Sequence, residues 1–259
     1  LGDSYPRLSY DSSASKKFTE LYSGKLSIPW IVQNAADETF MFQLIRTLEE
    51  KEIYVYLWRG SSGQYTPIFA GYLLMDLSSY EDVFYPFEAE LTATDGLGLL
   101  KEVDFVQDGS EAPYLLADTY IPDGQKTFVE WIAVLLSKIG LAGTAEGNTN
   151  NFYFTTSVNW YNKEMDAAGQ SDDPLALTRV AMRSTYELST SSIGVDYFKP
   201  KNCYQILQNI CRTWGMRVIV WKNVVRFVQV GEYNEAESGT VTNPDNINTR
   251  RYDLAGAIV

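Results

Sequence analysis

Thirty-three aspartates and glutamates are the chain's largest stock of reactive groups, and it contains no histidine. Without an imidazole there is no Ser-His or Cys-His nucleophile and no His-containing zinc site. Carboxylate pairs, lysine and tyrosine remain. A glycoside hydrolase needs two acids roughly 5 to 9 Å apart. The densest acids are the run Glu49, Glu50, Glu52 and the pair Asp172-Asp173. The glutamates close an amphipathic stretch and read as a solvated helix end. Asp173 precedes Pro174, an ordinary helix start with Asp as cap and Pro at the first position. Asp118 and Asp123 lie among turn residues, and their spacing lacks the alternate carboxylates of a calcium loop. Nothing around these acids singles out a pair. No catalytic, cofactor-binding or metal-binding residue is nominated, no cofactor is expected, and the chain is read as a non-enzyme.

Cys203 and Cys211 are eight residues apart on one amphipathic pattern, about 12 Å along a helix axis. A disulfide needs Cα atoms within about 7 Å, so both read as buried thiols. The aromatic content is high, with 18 Tyr and 6 Trp. Such side chains suit a β-rich core and also large contact surfaces. Trp58, Trp160 and Tyr161 stand near polar loops and are the candidates for stacking on sugar faces. The net charge is −12. A compact acidic chain does not hold a phosphate backbone by charge, so no sequence-specific nucleic-acid binding is expected. It can line a passage through which DNA slides without sticking. No stretch is long and apolar enough to span a membrane as a helix.

The elements follow from periodicity. The organising stretch runs from Pro67 to Lys101. Phe87, Ala89, Leu91 and Ala93 alternate with Glu88, Glu90, Thr92 and Thr94, the pattern of a sheet with one wet face. Asp95-Gly96 then breaks the strand, the Asp as a cap and the Gly at an unusual backbone angle. Leu1 to Lys17 is polar and Ser-rich and reads as an irregular arm. Lys25 to Gln33 reads as a strand, and Pro29 within it predicts an edge or a bulge. Asn34 to Lys51 reads as a helix capped by Asn34 or Asp37, with Phe40, Leu44, Ile45 and Leu48 inward. Glu52 to Arg59 is apolar on both faces and reads as a central or doubly covered strand. Gly60 to Gly63 is a hairpin loop.

Glu102 to Gln125 is connection. Lys126 to Gly140 is the clearest helix, with Thr127 and Glu130 as a capping box and Gly140 as the stop. Gly143 to Asn151 reads as a surface loop, Asn151 to Asn159 as a strand, Trp160 to Asp173 as polar turns, and Pro174 to Arg183 as a helix. Lys201 to Trp214 is the second clear helix, stopped by Gly215. Met216 to Val230 is a hairpin across Lys222-Asn223. From Tyr233 the chain is polar and reads as leaving the domain. The fold class is α+β and β-rich: a barrel-like curved antiparallel sheet with packed helices, then a second α+β portion. The expected divisions are an arm at 1–24, a first barrel-like domain at 25–110 and a second domain at 111–259.

The order of these parts resembles a known family. A strand carrying Phe69-Ala70-Gly71 precedes a long strand ending in Thr94-Asp95-Gly96-Leu97-Gly98-Leu99-Leu100. The helix from Thr127 follows, with the segment Trp131-Ile-Ala-Val-Leu-Leu-Ser-Lys-Ile-Gly140. Later the helix Cys203 to Gly215 runs into a two-stranded hairpin. Over roughly residues 25 to 230 this resembles the tail hub (baseplate hub, tail-tip) proteins of tailed bacteriophages, and it is similar in element order to the VgrG proteins of type VI secretion spikes. The resemblance implies a structural virion protein at the tail tip, made in the host cytoplasm. It implies a homotrimer whose two barrel-like domains per chain form a pseudo-sixfold ring, the second barrel assembled from residues 151–259 or continuing past Val259. It also implies partners: distal tail and tail-tube proteins, the tape-measure protein, and tip or fibre proteins around the exit channel for DNA. The sequence also admits two other readings, a carbohydrate- or receptor-binding module and a cell-wall glycoside hydrolase.

Overall fold

Alternating apolar residues and well-capped amphipathic runs build an α+β fold rich in strands. The computed structural model describes residues 5–10, 20–46, 52–61, 64–80, 84–105, 115–116, 125–140, 153–158, 173–221, 224–230 and 249–259. The chain divides into two units, Leu1–Gly98 with Val220–Asn223, and Leu99–Ile219 with Val224–Val259.

The first unit contains β1 (Arg7–Tyr10), β2 (Leu21–Tyr22), β3 (Gly24–Val32), α1 (Ala35–Arg46), β4 (Tyr54–Ser61), β5 (Gln64–Tyr80) and β6 (Phe87–Thr94). Its sheet is antiparallel, in the order β1-β3-β6-β5-β4. Among the described residues it is an open sheet with β1 and β4 at its ends, not a closed barrel. On β6 Phe87, Ala89, Leu91 and Ala93 are buried while Glu88 and Glu90 are exposed, as the alternation requires. The inward residues meet their counterparts in register: Leu26 faces Ala93, Ile28 faces Leu91, Trp30 faces Ala89 and Val32 faces Phe87. One apolar cluster joins Leu26, Phe69 and Ala93. A second joins Val32, Met41, Phe87 and Ala89, where α1 packs on the sheet.

Three local expectations change. Arg7–Tyr10 is a strand rather than an irregular arm, because Leu8 packs on the Leu26–Phe69–Ala93 cluster. β4 is an end strand rather than a central one. Its aromatic residues gain contact sideways instead: Tyr54 stacks on Tyr56 with ring centroids 6.5 Å apart and tilts against Tyr72 at 5.1 Å, and it stays 48% exposed. In α1 Met41 is fully buried, whereas Phe40, expected inward, is 50% exposed; the side chains of Leu44 and Ile45 lie outside the described residues. The unbranched Met fits the gap over Val32 and Ala89, and Phe40 rests against Trp30 at 5.9 Å. Leu48 lies outside the described residues. Pro29 fits its prediction locally. β1 covers β3 only as far as Ser27, so Pro29 pairs with Glu90 on one side and presents its missing donor to an uncovered edge.

The second unit contains β7 (Leu115–Leu116), β8 (Gln125–Thr127), α2 (Phe128–Ser137), β9 (Tyr153–Ser157), α3 (Pro174–Leu177), β10 (Arg179–Ala181), β11 (Tyr186–Thr190), β12 (Asp196–Pro200), α4 (Cys203–Trp214), β13 (Met216–Trp221), β14 (Val224–Gln229) and β15 (Arg250–Asp253). Both long helices begin as their sequences dictate. The Thr127 hydroxyl accepts from the Glu130 N–H, and the Glu130 carboxylate accepts from the Thr127 N–H at 2.6 Å. Asn202 and Gln205 repeat the same reciprocal cap on α4. Gly215 ends α4 at φ 59°, a left-handed position that suits glycine. The helices bury Trp131, Ile132, Leu135 and Leu136 from α2 and Ile206, Leu207, Ile210 and Cys211 from α4. Trp131 meets Phe105 edge-on at 5.2 Å, and Phe128 meets Trp214 edge-on at 5.9 Å.

A mixed sheet sets β15, β9, β14 and β13 side by side. β9 is parallel to β14 and antiparallel to β15. β11, β12 and β7 make a smaller antiparallel sheet, and β10 pairs with β8. Two expectations change here. The helix expected over Pro174–Arg183 stops after one turn, because Arg179, Val180 and Ala181 pair with Thr127, Lys126 and Gln125. The tail expected to leave the domain returns as β15, where Tyr252 faces Phe154 and is 1% exposed.

Candidate assembly surfaces

The first unit is fastened at the turn where β6 ends. Asp95 is buried and accepts three hydrogen bonds: from the Ser23 hydroxyl at 2.9 Å, the Gly24 N–H at 2.5 Å and the Leu97 N–H at 3.1 Å. It thus caps the 3-10 turn Leu97–Lys101 and ties it to the start of β3. Gly96 makes the bend at φ 83°. Burial raises the Asp95 carboxyl from an ordinary 3.8 to about 6, although all three donors pull the other way. The Tyr10 phenol on β1 is raised too, first by burial and then by the charge of Asp95. One strand away, Gly71 lies against this junction. A Cβ there would stand 1.9 Å from the Thr94 carbonyl oxygen. The Phe69-Ala70-Gly71 strand is therefore held against the end of β6 by an approach only glycine permits.

The second unit has its own buried acid. Asp173 caps α3 through the Leu175 N–H at 2.9 Å and accepts from the Tyr252 hydroxyl at 2.8 Å and the Thr156 hydroxyl. This carboxylate, half of the Asp172-Asp173 pair, is saturated by donors and braces β9, α3 and β15. Asp172 lies outside the described residues, as do Glu49, Glu50, Asp118 and Asp123. Cys203 and Cys211 are buried thiols that form no disulfide, as the spacing predicts. Burial pushes the Cys203 thiol up to about 11, with nearby Lys138 acting against it. Among the described residues no group of three or more His, Cys, Asp or Glu side chains is placed to hold a metal. No helix among them is long and apolar enough to cross a membrane. Trp58 is half-buried within β4, and Trp160 and Tyr161 lie outside the described residues.

Both units expose large apolar side chains. In the first unit Phe40 on α1 is 50% exposed, and Phe84, just before β6, is 98% exposed. Tyr85 stacks on Phe87 at 5.7 Å and donates its hydroxyl to Glu38 of α1. In the second unit the β11–β12 hairpin exposes Leu188, Ile193 and Val195. Its tip is fixed: the Val195 N–H donates to the Ser191 hydroxyl oxygen at 3.0 Å, the Ser191 N–H to the Val195 carbonyl at 2.8 Å, and Gly194 turns at φ 80°. The turn thus holds Ile193 in solvent on a hydrogen-bonded backbone. Periodicity had no means of finding it, since Ser191-Ser192-Ile193-Gly194 reads as an ordinary polar turn.

No family model matches the chain, and no curated protein matches it. Among solved structures it is similar to a 43 kDa tail protein of prophage MuSo2 from Shewanella oneidensis, with 9% identity and a TM-score of 0.35. The alignment covers 80% of this chain, which spans 46% of the length of that one. A TM-score of 0.35 does not establish a shared fold.

Proposed function

We propose that this chain is a structural protein of a phage tail, a tail hub that joins the tail tube to the tail tip. The observation that carries the reading is the junction at Gly71, Thr94 and Asp95. The two motifs on which the resemblance rests, Phe69-Ala70-Gly71 and Thr94 to Leu100, meet there in one close-packed, hydrogen-bonded corner. In this reading the sheet and helices are a scaffold, and the work is done by surfaces. The exposed side chains Phe40 and Phe84 and the hydrogen-bonded Ile193 turn are the contact elements. The partners are other copies of the chain, as a homotrimer, together with tail-tube, distal tail, tape-measure and tip or fibre proteins. The net charge of −12 suits the lining of a DNA exit channel.

The test is the mass of the assembled species by native mass spectrometry over a concentration series, followed by capture of tail-tube protein. Trimers or multiples of three that take up tail-tube protein are the expected result. A chain that stays monomeric at every concentration and takes up no tail protein refutes the reading.

A further inference from the structure

One edge of the first unit's sheet is open along a whole strand. β4 ends the sheet, and no strand lies beyond it among the described residues. The Leu73 N–H donates to the Ile53 carbonyl at 3.0 Å, so Ile53 turns its backbone toward β5. Along an antiparallel strand that direction alternates. Val55, Leu57 and Arg59 therefore bond to β5 as well, while Tyr54, Tyr56, Trp58 and Gly60 point N–H and C=O away from it. The pairing is irregular at one place, where Leu57 faces Phe69 and Trp58 faces Pro67. The residue skipped there, Ile68, belongs to β5, so β4 itself stays regular. The four outward residues make no further backbone hydrogen bond among the described residues. Tyr54, Arg59 and Gly60 are exposed.

This edge lacks the usual guards. Natural sheets protect an end strand by shortness, charge, proline or a bulge. β4 has eight residues, and the other end strands among the described residues have five or fewer. β1 is preceded by Pro6, the uncovered part of β3 carries Pro29, and β15 carries Arg250, Arg251 and Asp253. From Tyr54 to Ser61 there is no acid and no proline, and the one base is Arg59. Both faces of β4 have apolar side chains to offer an incoming strand. Val55 and Leu57 pack on the Leu26–Phe69–Ala93 cluster yet stay only partly buried. Tyr54, Tyr56 and Trp58 lie on the opposite face, as the alternation requires.

Register identifies the occupant, because β4 is its own complement. Two copies laid antiparallel, with Leu57 facing Leu57 across a twofold axis, set Tyr54 opposite Gly60 and Tyr56 opposite Trp58, each pair twice. Every outward N–H and C=O then meets a mate, and no other register uses all four outward residues. Arg59 falls opposite Val55, so no like charges meet. Tyr56 and Trp58 form aromatic cross-strand pairs, and the Tyr54 ring covers the bare Gly60 backbone. Moving the axis to Arg59 would set that base against itself. We propose that β4 pairs edge to edge with β4 of a second copy, joining two five-stranded sheets into one. The contact is isologous and adds a twofold axis. It goes beyond the tail reading and does not rest on it: alone it makes dimers, and on a trimer it joins two trimers.

The test compares the full chain with Tyr56→Pro, Tyr54→Lys/Gly60→Lys and Tyr54→Glu/Gly60→Lys. Native mass spectrometry and light scattering are run over a concentration series, with circular dichroism to check folding. The unmodified chain should give even-numbered species. Tyr56→Pro removes an outward donor and leaves the pairing with β5 intact, so it should abolish them. Tyr54→Lys/Gly60→Lys sets like charges opposite each other twice and should raise the dissociation constant about tenfold or more. Tyr54→Glu/Gly60→Lys sets opposite charges there and should bring it back to within about threefold of the unmodified chain. If Tyr56→Pro fails to fold, the two charge variants decide. An unmodified chain that forms trimers but no even-numbered species overturns this contact and leaves the tail reading standing. A chain that stays monomeric overturns the contact, and if it also takes up no tail-tube protein the tail reading falls with it. Even-numbered species unmoved by Tyr56→Pro and by the paired lysines overturn the edge as their source. Equal weakening by both charge variants overturns the register. Capture of tail-tube protein that disappears in Tyr56→Pro assigns the edge to another chain and overturns the second copy as occupant.

Discussion

Replacing Asp95 by Asn tests whether burial or hydrogen bonding governs the junction of the first unit. The Asp95 carboxyl is raised from 3.8 to about 6 in the fold. A gap of that size corresponds to about 3 kcal/mol. The sign follows from the direction. Because the folded value lies above the unfolded one, the folded state binds the proton more tightly. The contribution is fully present below about pH 4 and is lost as pH rises through about 6. An Asn side chain does not titrate, so it removes this dependence. It also turns an amide NH2 toward one of the three donors. If its oxygen keeps the Gly24 N–H, the Ser23 hydroxyl can rotate to accept, and the Leu97 N–H loses its acceptor at a cost of about 1–3 kcal/mol. At pH 7 that cost is offset by removal of the buried charge, and the two proteins should be close in stability. At pH 4 the wild type should lead by roughly 1–3 kcal/mol. The assay is urea unfolding followed by tryptophan fluorescence, on both proteins, at several pH values between about 4 and 8. A wild-type lead that grows as pH rises would show that the three donors outweigh burial and would sink the argument.

The remaining predictions concern packing and caps. Gly71→Ala drives a Cβ into the Thr94 carbonyl; the backbone has to shift, and a loss of about 3 kcal/mol or more is expected, read as a lower thermal midpoint. Tyr252→Phe removes one of three donors to Asp173 and should cost about 1 kcal/mol, whereas Asp173→Ala strands the Leu175 N–H and two hydroxyls and should cost about 3–5 kcal/mol; equal effects of the two would refute the buried brace. Thr127→Ala breaks the cap on α2 and should cost about 1 kcal/mol in denaturant unfolding. Ile193→Asp changes an exposed turn, so it should leave the thermal midpoint unchanged while weakening self-association in light scattering; an unchanged mass would remove the hairpin from the assembly surface.

Much of the fold was legible where local chemistry and burial agree. The alternation from Phe87 to Thr94 and the reciprocal caps at Thr127–Glu130 gave element type and face directly. The Asp95-Gly96 break was legible as a cap and a bend, but not as a three-donor anchor, since Ser23 and Gly24 are far away in sequence. Short polar strands were not legible. Arg7–Tyr10 and Arg250–Asp253 owe their state to a neighbour's open edge, which composition does not encode. Pro174 to Arg183 misled for the same reason: a true helix start is overridden two residues past its first turn by pairing with β8.

The parallel pairing of β9 with β14 carries a consequence for the time course of folding. Phe154 waits for Val225 on one side and for Tyr252 on the other, so neither flank of β9 closes until partners far downstream of it have been made. The hairpin from Tyr54 to Tyr72 needs only its own short turn. Closing a loop of about seventy to a hundred residues costs more entropy than closing a hairpin, and such pairings form late and slowly. During synthesis the strand Tyr153–Ser157 therefore emerges with both edges open, a state that invites pairing with another chain. Refolding at rising protein concentration should lose yield through the second unit's sheet first. Hydrogen exchange during refolding should protect the β4–β5 hairpin before it protects β9.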